Sequence, residues 1–261
     1  MTTIKKVTDA MEHWAPLRFQ EGYDNAGLIV GDPNMEVKGV LITLDSTEDV
    51  VEEAIQKGLN LIIAHHPIVF SGLKKINGSN YVEKTVIKAI KNDIAIYACH
   101  TNLDSVMDGV NSKICDLLGL ENRSILSLKK GEEKVGAGMI GELSNSLSEI
   151  EFLKTVKKQF KAGSLRYTNL LNKPVKRVAV CGGSGSFLLT DAIKAGADVF
   201  VTSDFKYHQF FDADNKIVIA DIGHFEGEIC TQELIYDYLQ KKFTTFKAHF
   251  SKVNTNPINY L

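Results

Sequence analysis

Apolar positions in this chain recur with two alternating periods. Ile4, Val7, Met11 and Trp14 keep helical spacing, and Pro16 closes that first helix. "GYDNAGLIVG" then reads as a turn rich in Asn and Gly that leads into a short apolar strand. In the next stretch, "GVLITLD" is a strand and "TEDVVEEAIQKG" a helix. Ser46 or Thr47 caps that helix, Val50, Val51, Ala54 and Ile55 share one face, and Gly58 ends it. "LNLIIA" is a second strand, so the segment is a βαβ crossover with a parallel pair. "YVEKTVIKAIKND" and "IAIYACH" add another helix and strand.

The second half repeats this pattern. Residues 178–204 align without gaps on residues 40–66: Val178 matches Val40, Ala192 matches Ala54, Gly196 matches Gly58 and Val201 matches Ile63. His65 and His66 fall opposite Ser203 and Asp204. Each copy is followed by one further strand that ends in a histidine with an acid four residues on. These pairs are His100 with Asp104 in "IAIYACHTNLD" and His224 with Glu228 in "IVIADIGHFEGE". Shared physics explains similar apolar patterns in any two βαβ units, but it does not call for matched His-x-x-x-acid ends. A duplicated α/β module follows: two similar lobes of mixed sheet flanked by helices. Residues 1–126 with 240–261 are expected to form the first lobe and residues 127–239 the second. Within the second, "VGAGMIGEL", "SLSEIEFLKTVKKQF" and "SLRYTN" read as strand, helix and strand. "TTFKAHFSKV" is the last strand.

Composition narrows the function classes. The 261 residues are 44 % hydrophobic and 24 % charged with a net charge of −2. That balance lacks the basic field through which nucleic-acid binders release counterions, so no nucleic-acid partner is expected. No apolar run reaches the ~18 residues of a membrane span, and "MTTIKKVTDAMEHW" has the pattern of an amphipathic helix rather than a signal peptide. Cys99, Cys115, Cys181 and Cys230 lie far apart with no CxxC pair, which reads as reduced core thiols in a cytoplasmic protein.

The candidate chemistry sits at strand ends. Ligands of parallel α/β sheets bind beyond the carboxyl ends of the strands, where loops are free to carry function. His65 and His66 stand there in "LNLIIAHHPIVF", and Pro67 fixes where the strand stops. Two adjacent imidazoles project in different directions and can serve two neighbouring ions. With the later His and acid pairs, the donors are imidazole nitrogen and carboxylate oxygen without thiolate, a set suited to Zn, Fe, Mn or Co. A Glu is long enough to bridge two ions about 3.5–4 Å apart. His100 is either a ligand or a group that orients Asp104 or a water. His208 and His249, as single histidines, read as structural. "CGGSGSFLL" lacks the third glycine of a dinucleotide fingerprint and reads first as a tight turn, with an anion cradle as the alternative. "SDFKYHQFFDADN" is denser in polar and aromatic groups than a connector needs, and the repeat places Asp204, Tyr207 and His208 toward the same cleft.

At "YDNAGLIVG", "LIIAHHPIVF", "IAIYACHTNLD", "VAVCGGSGSFL", "GADVFVTSDFKYHQFFDA", "IADIGHFEGE" and "NPINYL" the chain resembles the GTP cyclohydrolase 1 type 2 homolog family, over nearly its whole length. The resemblance implies a toroidal homohexamer with two divalent metal ions per subunit. His65, His66, Asp104, His224 and Glu228 would be the ligands, with Glu228 bridging and His100 outside the set. Tyr23 stands where the family often has Trp before Asp-Asn, a conservative change for a packed aromatic.

Two functions follow. The first is a metal-dependent hydrolase acting on a nucleotide-like substrate, with GTP cyclohydrolase as the named activity and His100 or His208 as candidate proton donors. The alternative is a non-catalytic metal-binding hexamer that buffers, delivers or senses metal, or scaffolds partners.

Overall fold

The computed structural model describes residues 1–261, which divide into two compact units: Met1–Leu103 with Thr231–Pro257, and Asp104–Cys230 with Ile258–Leu261. In unit 1 the predicted amphipathic helix is α1 (Ile4–Trp14), which buries Ile4, Val7 and Met11 and is capped by the Thr3 side chain. There follow β1 (Gly27–Val30), β2 (Val40–Thr43), α2 (Glu48–Gln56), β3 (Leu61–Ala64), α3 (Tyr81–Lys91) and β4 (Ala95–Ala98). A short helix, α4 (Thr101–Ser105), crosses into the second unit. Thr47 caps α2 by accepting from the Val50 amide, and Asn80 caps α3 by accepting from the Glu83 amide. Strands β2, β3 and β4 are buried at every position. That pattern belongs to parallel strands covered on both faces, where each fully buried Leu or Ile contributes about 1.5–3 kcal/mol.

Unit 2 contains α5 (Val110–Leu118), β5 (Leu120–Leu128), β6 (Gly136–Ser148), α6 (Glu149–Gln159), β7 (Arg166–Tyr167), β8 (Pro174–Ser184), α7 (Leu189–Lys194), β9 (Val199–Ser203), β10 (Val218–Asp221) and α8 (His224–Glu228). The chain then returns to unit 1 as α9 (Thr231–Lys242) and β11 (Ala248–Phe250). The first sheet runs β1-β4-β3-β2-β11, with β1 antiparallel to β4 and the other neighbours parallel. The second runs β5-β6-β8-β9-β10-β7, parallel only across β8, β9 and β10. Both sheets are therefore mixed and flanked by helices, as the duplicated pattern predicts.

The repeat shows in the register. Val40 pairs with Leu61, and its counterpart Val178 pairs with Val199. Two features were not read from the sequence: β5, a polar edge strand antiparallel to β6, and α5 before it. The sequence drew the lobe boundary at 126/127, whereas these elements belong with unit 2 and carry the division to 103/104. No helix is long and apolar enough to cross a membrane.

Candidate metal centre

In unit 1 the ends of three neighbouring parallel strands carry the polar groups: Asp45 after β2, His65 and His66 after β3, His100 after β4. Their ring nitrogens gather within 4.8 Å of one another for His65, His66 and His100. Ring centroids lie 4.9 Å apart for His65 and His66, and 5.3 and 5.4 Å from each to His100. His65 is fully buried and its Nδ1 donates to the Cys99 carbonyl at 2.8 Å. His66 Nδ1 donates to Asp45 Oδ1 at 2.7 Å, and His100 Nδ1 donates to Asp24 Oδ1 at 2.7 Å. An imidazole whose Nδ1–H is held by an oxygen presents its lone pair at Nε2, the arrangement found behind metal-ligating histidines.

Unit 2 uses the same strand ends. Gly182 and Gly183 close β8, Asp204 follows β9, and His224 opens α8 just after β10 with Glu228 one turn on. His224 Nδ1 donates to Asp204 Oδ2 at 2.6 Å, while its Nε2 stands 3.0 Å from Glu228 Oε2. Burial works against a charged ring, but the bonds to Asp204 and Glu228 outweigh it and raise His224 to about 11. Without metal a proton therefore sits between these acids at neutral pH, and binding a cation at Nε2 requires that proton to leave. Asp104 and Glu228 place carboxylate oxygens within 4.8 Å of each other, with Glu228 only 2 % exposed. Two anions that close repel unless positive charge lies beside them. Burial together with the Asp104 and Glu228 charges pushes the Cys181 thiol far up, so that cysteine stays protonated beside a nitrogen and oxygen donor set that fits Zn, Fe or Mn.

The "CGG" tract has a physical role that neither sequence reading named. Strand β8 runs through it to Ser184, and the helix that follows, α7, is only six residues long. Gly183 adopts φ +62°, and a Cβ there would stand 2.2 Å from Glu228 Oε1. The missing side chain is the space that the carboxylate occupies.

The predicted residues thus fall into two donor groups, His65 and His66 in unit 1, and Asp104, His224 and Glu228 in unit 2. Asp204 joins the second by orienting His224. Tyr207 and His208 instead pack edge to face on each other at 5.1 Å, in an exposed aromatic patch. Sequence reasoning missed Asp45, Asp24 and Thr255. Asp45 stands at a strand end and was open to the same rule as His65.

Thr255 donates to Asp45 Oδ2 at 2.6 Å, so the C-terminal strap braces the carboxylate that holds His66. Thr255→Val is expected to weaken metal retention about tenfold, the lower end for a group behind a ligand, with Thr255→Ser restoring it. Competition against a chromogenic chelator measures this. Asp24 makes a second prediction. Burial pushes its carboxyl upward, but bonds from His100, Thr101 and the Asn25 amide prevail and lower it from 3.8 to about 2. A depressed carboxyl stabilises the fold above its unfolded value, here by about 2 kcal/mol, and that contribution is lost as the pH falls from 3.8 through about 2. Urea unfolding of metal-free protein across that window is expected to show the slope, and Asp24→Asn to flatten it.

Two α/β units whose parallel strands end in histidines and carboxylates define a duplicated α/β protein with clustered candidate metal donors. A match over residues 2–257 makes the particular family plain: the chain belongs to Duf34/NIF3 (NGG1p interacting factor 3). It is 39 % identical to a "GTP cyclohydrolase 1 type 2 homolog" of Clostridium acetobutylicum, over 86 % of this chain and 85 % of that one. Among solved structures, a Staphylococcus aureus protein superposes with a TM-score of 0.91 at 30 % identity, covering 100 % of this chain and 99 % of that one. A Bacillus cereus protein related to NIF3 gives 0.91 at 27 % identity with the same coverage.

Proposed function

We propose that His65, His66, Asp104, His224 and Glu228 hold two divalent ions, Zn, Fe or Mn, with Glu228 as the bridge. On this reading the protein is a metal-dependent hydrolase of a nucleotide-like substrate. GTP is the named candidate because the relatives carry that name. The observation that carries the reading is the uniform anchoring of four imidazoles through Nδ1 to a carbonyl or carboxylate. Structural histidines have no common reason to turn the same nitrogen away from the cluster.

When bound, such ions supply a water acidic enough to lose a proton near neutral pH, and positive charge for the anion that develops on the substrate. The protein's own part is to hold the rings and move protons. The Cys99 carbonyl, Asp45 and Asp204 fix three imidazoles, and Asp104 and Glu228 supply negative charge. His100, oriented by Asp24 through Nδ1, takes up a proton at its Nε2 lone pair and hands it to the leaving nitrogen, as carboxylate-oriented imidazoles do in general acid–base catalysis. The protein acts as a homohexameric ring, as the family resemblance implies. Its four buried cysteines form no disulfide, which fits a reducing compartment, so the reading places it in the cytoplasm.

The test strips the protein with a chelator and reloads it separately with Zn, Mn and ferrous iron. Bound metal is quantified and nucleotides are screened for ring opening by ultraviolet absorbance. Metal-dependent turnover is expected, and His100→Asn is expected to keep its ions while losing about a hundredfold or more in kcat. Bound metal with no turnover on any nucleotide would leave the storage or scaffold function instead. A protein without stoichiometric metal would overturn both.

A further inference from the structure

Of the tract 203–215, the metal reading uses only Asp204. The rest forms one wall of a separate cavity of about 600 Å³ within unit 2, inside the range of small-ligand sites. Strand β7 and the residues after it, with Arg166, Tyr167 and Asn169, make one side; the 3-10 segment Tyr207–Ala213 makes the other. Three rings around it stand in solvent, Tyr207 at 72 %, Phe211 at 67 % and Tyr167 at 49 % exposure. Tyr207 and Phe211 meet edge to face at 5.6 Å, and the Arg166 guanidinium lies over the Phe210 ring at 5.4 Å.

The charges of this cavity cancel. Arg166 pairs with the buried Asp221, and Lys216 pairs with Asp214 at 2.7 Å. A site so balanced does not select an anion such as phosphate. It offers instead aromatic faces, a planar cation already stacked on one of them, and the exposed carboxamides of Asn169 and Asn215, which give donors and acceptors to a ring edge. Base–aromatic stacking with edge hydrogen bonds is how proteins hold nucleobases. A second copy of the chain seated here would bury both carboxamides and the Asp214–Lys216 pair along with the rings. A flat ring between the aromatic walls leaves them at its edge.

We propose that this cavity binds the uncharged heteroaromatic ring of a nucleoside. The proposal shares its ligand class with the nucleotide-like substrate above but concerns a second site, lined by none of the candidate metal donors, so its test needs no metal. Chelator-stripped full-length protein is titrated calorimetrically with guanosine, adenosine and free ribose, and its subunit count is followed by light scattering. The nucleosides are expected to bind saturably and ribose not at all. Tyr207→Ala and Phe211→Ala are each expected to weaken nucleoside binding about tenfold, the loss of one stacked ring, with melting temperatures unchanged because both rings are exposed. No saturable nucleoside binding at millimolar concentration overturns the proposal, as does parent-level affinity in both variants. A changed subunit count with unchanged nucleoside affinity also overturns it, because the face would then belong to a second copy. Ring binding by a protein that turns over no nucleotide supports the cavity while counting against the hydrolase.

Discussion

Glu228→Gln is expected to abolish stoichiometric metal binding while leaving the metal-free fold as stable as before. The side chain is 2 % exposed, stands 3.0 Å from His224 Nε2, and shares a 4.8 Å neighbourhood with Asp104. Gln keeps its shape and removes only the charge. Without metal, two consequences oppose each other: His224 loses one of the two acids that raise it, and Asp104 loses a like charge at close range. Each is an interaction of order 4 kcal/mol at an effective dielectric of about 20, so they offset and the metal-free melting temperature stays near that of the parent. With divalent ions present nothing would offset the loss, since on the proposed reading this charge is what attracts them. The affinity drop is expected to exceed about a hundredfold, the upper end for groups that only support a ligand. The readout is the thermal shift on adding zinc. The parent gains about 2.7 kcal/mol at a concentration a hundredfold above its Kd, and a variant weakened a hundredfold or more gains at most about 0.4 kcal/mol. A variant that shows the parent's shift and the parent's metal content removes Glu228 from the centre.

The strand ends of this protein were legible because their chemistry is local. The run "LIIA" followed by two histidines announces itself within six residues, and so do the His-x-x-x-acid pairs on one helical turn. The duplication was legible too, and it accounts for more than the alignment indicated. His65 and Ser203 are matched positions: His65 bonds the Cys99 carbonyl just beyond β4, and Ser203 bonds the Gly223 carbonyl at 2.7 Å just beyond β10. Each ties its strand end to the exit of the next strand, one with an imidazole and the other with a hydroxyl. The next pair diverges, since His66 is a candidate ligand whereas Asp204 serves His224. What escaped reading was the layer behind the rings. Asp45 is 21 positions from His66, Asp24 is 76 from His100, and Thr255 is 210 from Asp45. No periodicity links such residues; only the sheet order brings them together. Strand β5 was missed for a different reason, because an edge strand with five of its nine residues charged or polar lacks clean alternation.

Gly183→Ala tests the reading of the "CGG" tract and separates room for a ligand from plain backbone tolerance. Two effects follow from one added methyl. An alanine at φ +62° strains the backbone by about 1–2 kcal/mol, which a domain with a stability of roughly 5–15 kcal/mol survives. The methyl would also lie 2.2 Å from Glu228 Oε1, a distance that real side chains do not adopt, and 3.2 Å from His224 Cε1, a tight contact. Glu228 is the softer partner, so its carboxylate moves, and a shift of about 1 Å takes the proposed ligand out of position. Metal affinity is therefore expected to fall about tenfold to a hundredfold in a protein that still melts cooperatively. The neighbouring Gly182→Ala is the control. Gly182 is not left-handed, and its Cβ would meet Val110 and Ile114 at 3.1 and 3.2 Å and Glu228 Cγ at 3.6 Å, contacts that small movements relieve. That variant is expected to retain metal. If chelator competition showed equal losses in both, the tract would matter only as a turn; if it showed none at Gly183, the carboxylate would have room that this geometry denies it.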